Sequence, residues 1–127
     1  MSSRYVLDSS AVLALIQSEP GANVVRAAMD KAVMSTVNLA ETVTKLVERG
    51  MPRLDARAAL FELKIEYVPF TEAQATLCGE LRPATRSRGL SLGDRACLAL
   101  AIERGLPAMT ADAAWLGATS ADVVLIR

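Results

Sequence analysis

Four acidic residues, Asp8, Glu41, Asp94 and Asp112, each lie beside or inside a hydrophobic segment of a chain that has no histidine. Carboxylates without imidazole suit a hard divalent cation such as Mg2+ or Mn2+ better than zinc. Brought together, they would form a metal-dependent phosphodiester-hydrolysing site, where the cation offsets mutual repulsion that would otherwise drive some of the acids neutral.

Each acid also has an ordinary structural reading. Asp8 follows Tyr5-Val6-Leu7 and precedes Ser9-Ser10-Ala11-Val12, so it stands where a strand turns into a helix and suits both an N-cap and a site at a strand's carboxyl end. Asp112 repeats that position after Pro107-Ala108-Met109-Thr110-Ala111. Asp94 closes Ser91-Leu92-Gly93-Asp94, a capping box at the start of a helix that is apolar on almost every side. Gly93 leaves room there for close approach. Glu41 lies one turn into a helix, three residues after Asn38 and at the edge of a stripe formed by Leu39, Val43, Leu46 and Val47. Ser9, Asn38 and Thr110 are the polar neighbours able to orient a carboxylate or a coordinated water.

The elements that must carry these residues follow from periodicity. Short apolar runs at Tyr5-Val6-Leu7, Ala32-Val33-Met34, Glu66-Tyr67-Val68, Ala108-Met109 and Val123 to Ile126 predict five strands. Helical patterns fall at about 9–18, 21–30, 36–49, 53–64, 72–87, 92–104 and 113–117. Alternation of the two favours an α/β fold with a parallel sheet covered on both faces, in one domain over residues 1–127. Gly50-Met51-Pro52, Gly89 and Gly105-Leu106-Pro107 mark helix ends, and Pro83 should bend or split the 72–87 helix. With the first and fourth strands adjacent, Asp8 and Asp112 would flank a topological switch point.

At 127 residues and 52% hydrophobic content the chain can bury a real core, while 14 basic residues cancel 14 acidic ones. An anionic partner must therefore be held by a local patch or a metal. Arg82, Arg86, Arg88 and Arg95 gather around the stretch leading into Asp94, as phosphate contacts or as a solvated helix end. Cys78 and Cys97 fall in apolar helical patterns and read as buried thiols. The start offers no apolar core for a secretory signal, and the longest apolar runs are too short to span a bilayer, so a soluble cytoplasmic protein is expected, with no membrane partner. The helical pair from Val43 to Leu63 carries more apolar surface than a short pair easily hides, which suits either a partner groove or closure of its own core.

Together Val6-Leu7-Asp8-Ser9-Ser10-Ala11, Asn38-Leu39-Ala40-Glu41, Gly89 through Ala99, and Met109-Thr110-Ala111-Asp112 with Trp115 resemble the PIN-domain nucleases, specifically the VapC-like toxins of bacterial toxin–antitoxin pairs. The resemblance implies a PIN-like doubly wound α/β/α sandwich with a five-stranded parallel sheet in the order 3-2-1-4-5 and about seven helices. It implies an Mg2+- or Mn2+-dependent endoribonuclease with Asp8, Glu41, Asp94 and Asp112 as its acidic set. Asp8 and Asp94 would be direct ligands, Asp112 a ligand directly or through water, and Glu41 a ligand or the base that orients water. It further implies an RNA substrate, a homodimer, and a VapB-like antitoxin whose C-terminal segment lies across the site.

Two other readings compete: a receiver-like phosphoacceptor module and a non-catalytic PIN-like binding domain. A receiver needs an Asp after its third strand, where this chain has Tyr67-Val68-Pro69-Phe70, and a lysine after its last strand, which is missing. A degenerate binding domain would have lost one of the acids, and all four are present.

Overall fold

A computed structural model describes residues 4–127; the first three residues of the start considered above lie outside the described residues. Five strands, β1 (Tyr5–Leu7), β2 (Ala32–Ser35), β3 (Glu66–Val68), β4 (Ala108–Thr110) and β5 (Val123–Leu125), form one sheet in the order β3-β2-β1-β4-β5. Every pairing is parallel, with Val6 opposite Val33 on one side and Ala108 on the other. The order matches the one implied by the resemblance, and it places the switch point between β1 and β4.

Among the described residues seven α-helices accompany the sheet: α1 (Ser9–Ile16), α2 (Ala22–Ala28), α3 (Thr36–Glu48), α4 (Arg53–Glu62), α5 (Glu72–Glu80), α6 (Arg82–Thr85) and α7 (Leu92–Arg104). Strand alternation divides the core in two. Leu7, Met34 and Met109 pack with Ala11, Val12 and Val25 on one face. Val6, Val33 and Ala108 pack with Leu98, Leu100 and Trp115 on the other. α7 is buried continuously from Ala96 to Ala101 because α5 covers the side turned away from the sheet.

Several boundaries differ from the periodicity. The 72–87 pattern breaks at Leu81 into α5 and α6, with Pro83 in the first turn of α6, where a proline's missing N–H costs nothing. Residues 29–31 and 113–115 form 3-10 turns, so no α-helix spans 113–117. On α3 the innermost line is Asn38, Thr42 and Leu46, while Val47 of the expected stripe is exposed. Thr42 Oγ1 donates to Asn38 O at 2.7 Å and the Asn38 Nδ2 finds two acceptors, which offsets burial of the pair, while Asn38 Oδ1 is left without a partner. Cys78 and Cys97 are buried free thiols, as expected. Among the described residues no helix is long and apolar enough to cross a membrane.

Candidate functional site

Asp8 leaves the end of β1 with its backbone N–H donating to Met109 O at 3.0 Å, so it is registered against β4 before its side chain is considered. The residue is only 4% exposed. Its Oδ2 accepts hydrogen bonds from Ser10 Oγ at 2.7 Å, Thr110 Oγ1 at 3.0 Å and Ser10 N at 3.4 Å. Oδ1 is buried without a partner. Burial is the main reason its pKa rises from 3.8 to about 6, with Asp94 and Glu41 adding repulsion and the Ser10 and Thr110 bonds opposing it.

Glu41 reaches the same crevice from α3. Its Oε1 accepts from Asn38 Nδ2 at 2.9 Å and from Ser9 Oγ at 3.4 Å. The same Asn38 amide donates to Gly93 O at 3.0 Å, which ties the start of α3 to the start of α7. A β-carbon on Gly93 would collide with the Glu41 carboxylate, so the glycine is needed for close approach and not for an unusual backbone angle.

Asp94 forms the expected capping box: Oδ2 accepts from Ser91 N at 2.9 Å while Asp94 N donates to Ser91 Oγ at 3.2 Å. Its charge acts on Asp8. Capping and clustering are therefore compatible uses of one carboxylate. Asp112 is exposed, and its Oδ1 caps the following 3-10 turn through Ala114 N at 2.9 Å. Its connection to the crevice runs through the backbone, where Asp112 N donates to Thr110 Oγ1 at 3.2 Å.

Asp8, Glu41 and Asp94 thus converge, while the Asp112 side chain caps its own turn and is linked to them only through Thr110. Cys97, one turn beyond Asp94, lies beneath them; burial first, then repulsion from Asp8, Asp94 and Glu41, pushes its thiol far above the ordinary range. Among the described residues no three acidic or thiol groups already close to the spacing of a finished metal site. The donor chemistry nevertheless fits a hard cation: oxygen ligands only, with a buried unpartnered Asp8 oxygen and mutually repelling charges.

The four arginines divide. Arg95 donates to Cys78 O at 3.0 Å, and Arg88 donates to Ala114 O at 3.2 Å and Leu116 O at 2.6 Å. Arg82 makes a long bond to Leu90 O at 3.5 Å, and Arg86 is exposed. Backbone carbonyls at turn and helix ends therefore take one terminal nitrogen of each of two guanidinium groups that the sequence offers either as phosphate contacts or as a solvated helix end. Ser10 was not singled out by sequence reasoning, which chose Ser9. The two serines serve different acids: Ser9 reaches Glu41 across the contact of α1 with α3, and Ser10 turns back to Asp8.

With this geometry in hand, comparison with known proteins is decisive for the family. The PIN domain model matches residues 5–118. The chain belongs to the PIN domain family. Solved structures of this PIN chain's fold include a DNA-bound VapBC from Salmonella typhimurium, with a TM-score of 0.79 and 15% identity over 99% of this chain and 100% of the other. VapC20 of Mycobacterium tuberculosis, described as a sarcin–ricin loop cleaving toxin, has a TM-score of 0.72 and 21% identity over 86% and 90%. VapBC-5 of the same organism has a TM-score of 0.66 and 24% identity over 99% of each chain. Curated sequences yield no match.

Proposed function

We propose that this PIN chain is a divalent-metal-dependent endoribonuclease, acting over residues 1–127 as one unit and as the toxin of a toxin–antitoxin pair in the cytoplasm. The observation that carries the reading is that Glu41, tied to Ser9 and Asn38, and Asp94, which follows the Gly93 bridged by Asn38, are brought to the buried Asp8, one of whose oxygens has no protein partner. Family membership and fold likeness to VapBC toxins support it.

Asp8 and Asp94 would be the direct ligands for Mg2+ or Mn2+, Asp112 would join them directly or through water, and Glu41 would serve as a further ligand or as the base that orients water. A bound cation supplies Lewis acidity toward a phosphoryl oxygen and makes water acidic enough to act as a nucleophile near neutral pH. Glu41, held by Asn38 and Ser9, orients the attacking water and receives its proton, since no histidine is available. Thr110 holds Asp8 in place. Arg86, with Arg82 one turn away, offers cationic contacts to the RNA backbone, and Arg88 and Arg95 shape the adjoining turns.

The partner reading has its own support. Leu39, Val43, Leu60, Phe61 and Tyr67 line an apolar groove of ≈ 380 Å³, and Phe61 is 83% exposed. Such a surface suits the apolar face of a VapB-like antitoxin segment, in a toxin that acts as a homodimer. The decisive experiment incubates the purified protein with total RNA and Mg2+ or Mn2+, with and without chelator, beside Asp94→Asn. Chelator-sensitive cleavage that disappears in the variant is expected; metal-independent cleavage or a fully active variant sinks the site.

A further inference from the structure

The hydrogen bonds around Asp8 can be assigned proton by proton. Ser10 Oγ donates its only hydrogen to Asp8 Oδ2 at 2.7 Å, so toward Ala111 N, at 3.0 Å, it acts as the acceptor. Thr110 Oγ1 likewise donates to Asp8 Oδ2 at 3.0 Å and accepts from Asp112 N at 3.2 Å. Two consecutive backbone amides, those of Ala111 and Asp112, are thereby relayed through two hydroxyls to a single carboxylate oxygen. The hydroxyls are themselves adjacent at 3.3 Å.

This arrangement has two effects. It fills the acceptor capacity of Oδ2, leaving Oδ1 as the open atom of a 96%-buried side chain, with no partner of its own. It also fastens the turn that carries Asp112 to the first turn of α1, although the two segments are about a hundred residues apart in sequence. Thr110 alone does not make the second link to α1; the Ala111 amide ends on Ser10.

We propose that Ser10 is a positioning residue, whose hydroxyl engages Asp8 Oδ2, leaves Oδ1 without a protein donor and so available to a divalent cation, and locks the Asp112-bearing turn against that site. This rests on the metal-dependent reading above. Outer-sphere hydrogen-bond partners of ligands typically carry about 10–100-fold in metal affinity.

The test uses the full chain without RNA. Mn2+ affinity is measured by calorimetry for the wild type, Ser10→Ala and Ser10→Thr, and exchange of the Ala111 amide is followed by NMR in metal-free protein. Ser10→Ala should bind Mn2+ about 10–100-fold more weakly, with faster Ala111 exchange. Ser10→Thr, which keeps the hydroxyl, should restore both. Wild-type affinity in Ser10→Ala, unchanged Ala111 exchange, or no rescue by threonine overturns the assignment. Should the alanine variant fail to fold, Ser10→Cys, close in size and a weak donor, carries the same expectations. A wild type that binds no Mn2+ defeats the metal-dependent reading itself, whereas a wild type that binds beside an unaffected variant defeats only the role of Ser10.

Discussion

Asp8 and Asp112 stand at equivalent places, each just beyond a parallel strand and each capping the turn that follows, yet their surroundings are opposite. Asp8 is 4% exposed with three hydrogen bonds on one oxygen and none on the other. Asp112 is exposed, and its side chain accepts from Ala114 N. The cause lies in what comes next. Asp8 opens an eight-residue helix whose first six residues include five that are buried, whereas Asp112 opens a 3-10 turn with only Trp115 buried. Strand-end position selects the candidates, and packing of the following element decides which of them pays the cost of desolvation.

That contrast can be broken most directly by neutralising each acid in turn. Asp8→Asn should lower RNA cleavage by about 10³-fold, on the scale of losing a principal electrostatic group from an active site, read as initial rates at saturating Mn2+. The same substitution should stabilise the metal-free protein. The folded pKa of about 6 lies above 3.8, so the contribution of Asp8 to stability is complete below 3.8 and is lost as pH rises through 6. By neutral pH the charged form opposes folding by up to about 3 kcal/mol. Urea unfolding in chelator should therefore show wild type falling behind Asp8→Asn between about pH 4 and pH 7; parallel stability curves would remove the burial argument.

Gly93→Ala should depress cleavage, because the new methyl displaces the Glu41 carboxylate, while stability changes little, since what must give way is the end of a flexible side chain. Circular-dichroism melting beside the nuclease assay separates the two effects. Asp112→Asn should have the mildest outcome, a loss of cleavage near tenfold or less with its melting temperature almost unchanged, since an asparagine still caps the turn. A loss equal to that of Asp8→Asn would show that Asp112 moves inward when RNA or metal arrives.

Much of this was readable from residue types alone. Short runs two to four residues long, separated by longer helical patterns, identify all five strands and a parallel sheet; Pro83 marks the break between α5 and α6. The acids were recognisable because a carboxylate beside Val6-Leu7 or Ala96-Cys97 has to be accounted for. What escaped depends on contacts between distant segments. The buried Asn38 and Thr42 sit where hydrophobicity alone predicts apolar side chains, since their hydrogen bonds offset the burial. Ser10 looks no different from Ser9 until α3 lies on one side of α1 and the turn after β4 on the other. The carbonyls that Arg88 and Arg95 meet are likewise visible only in the folded chain.

The β1–β4 pairing, Val6 beside Ala108 and Leu7 beside Met109, has a kinetic meaning as well. It joins segments about a hundred residues apart, and parallel contacts of that span are made late, after most of the loop entropy has been spent. Asp8 acquires its Thr110 bond only once that pairing exists, and the Asn38 bridge to Gly93 likewise needs α7 in place. A nascent or partly folded chain therefore holds its acids apart, so nuclease activity should emerge with the last cooperative step of folding and not before it.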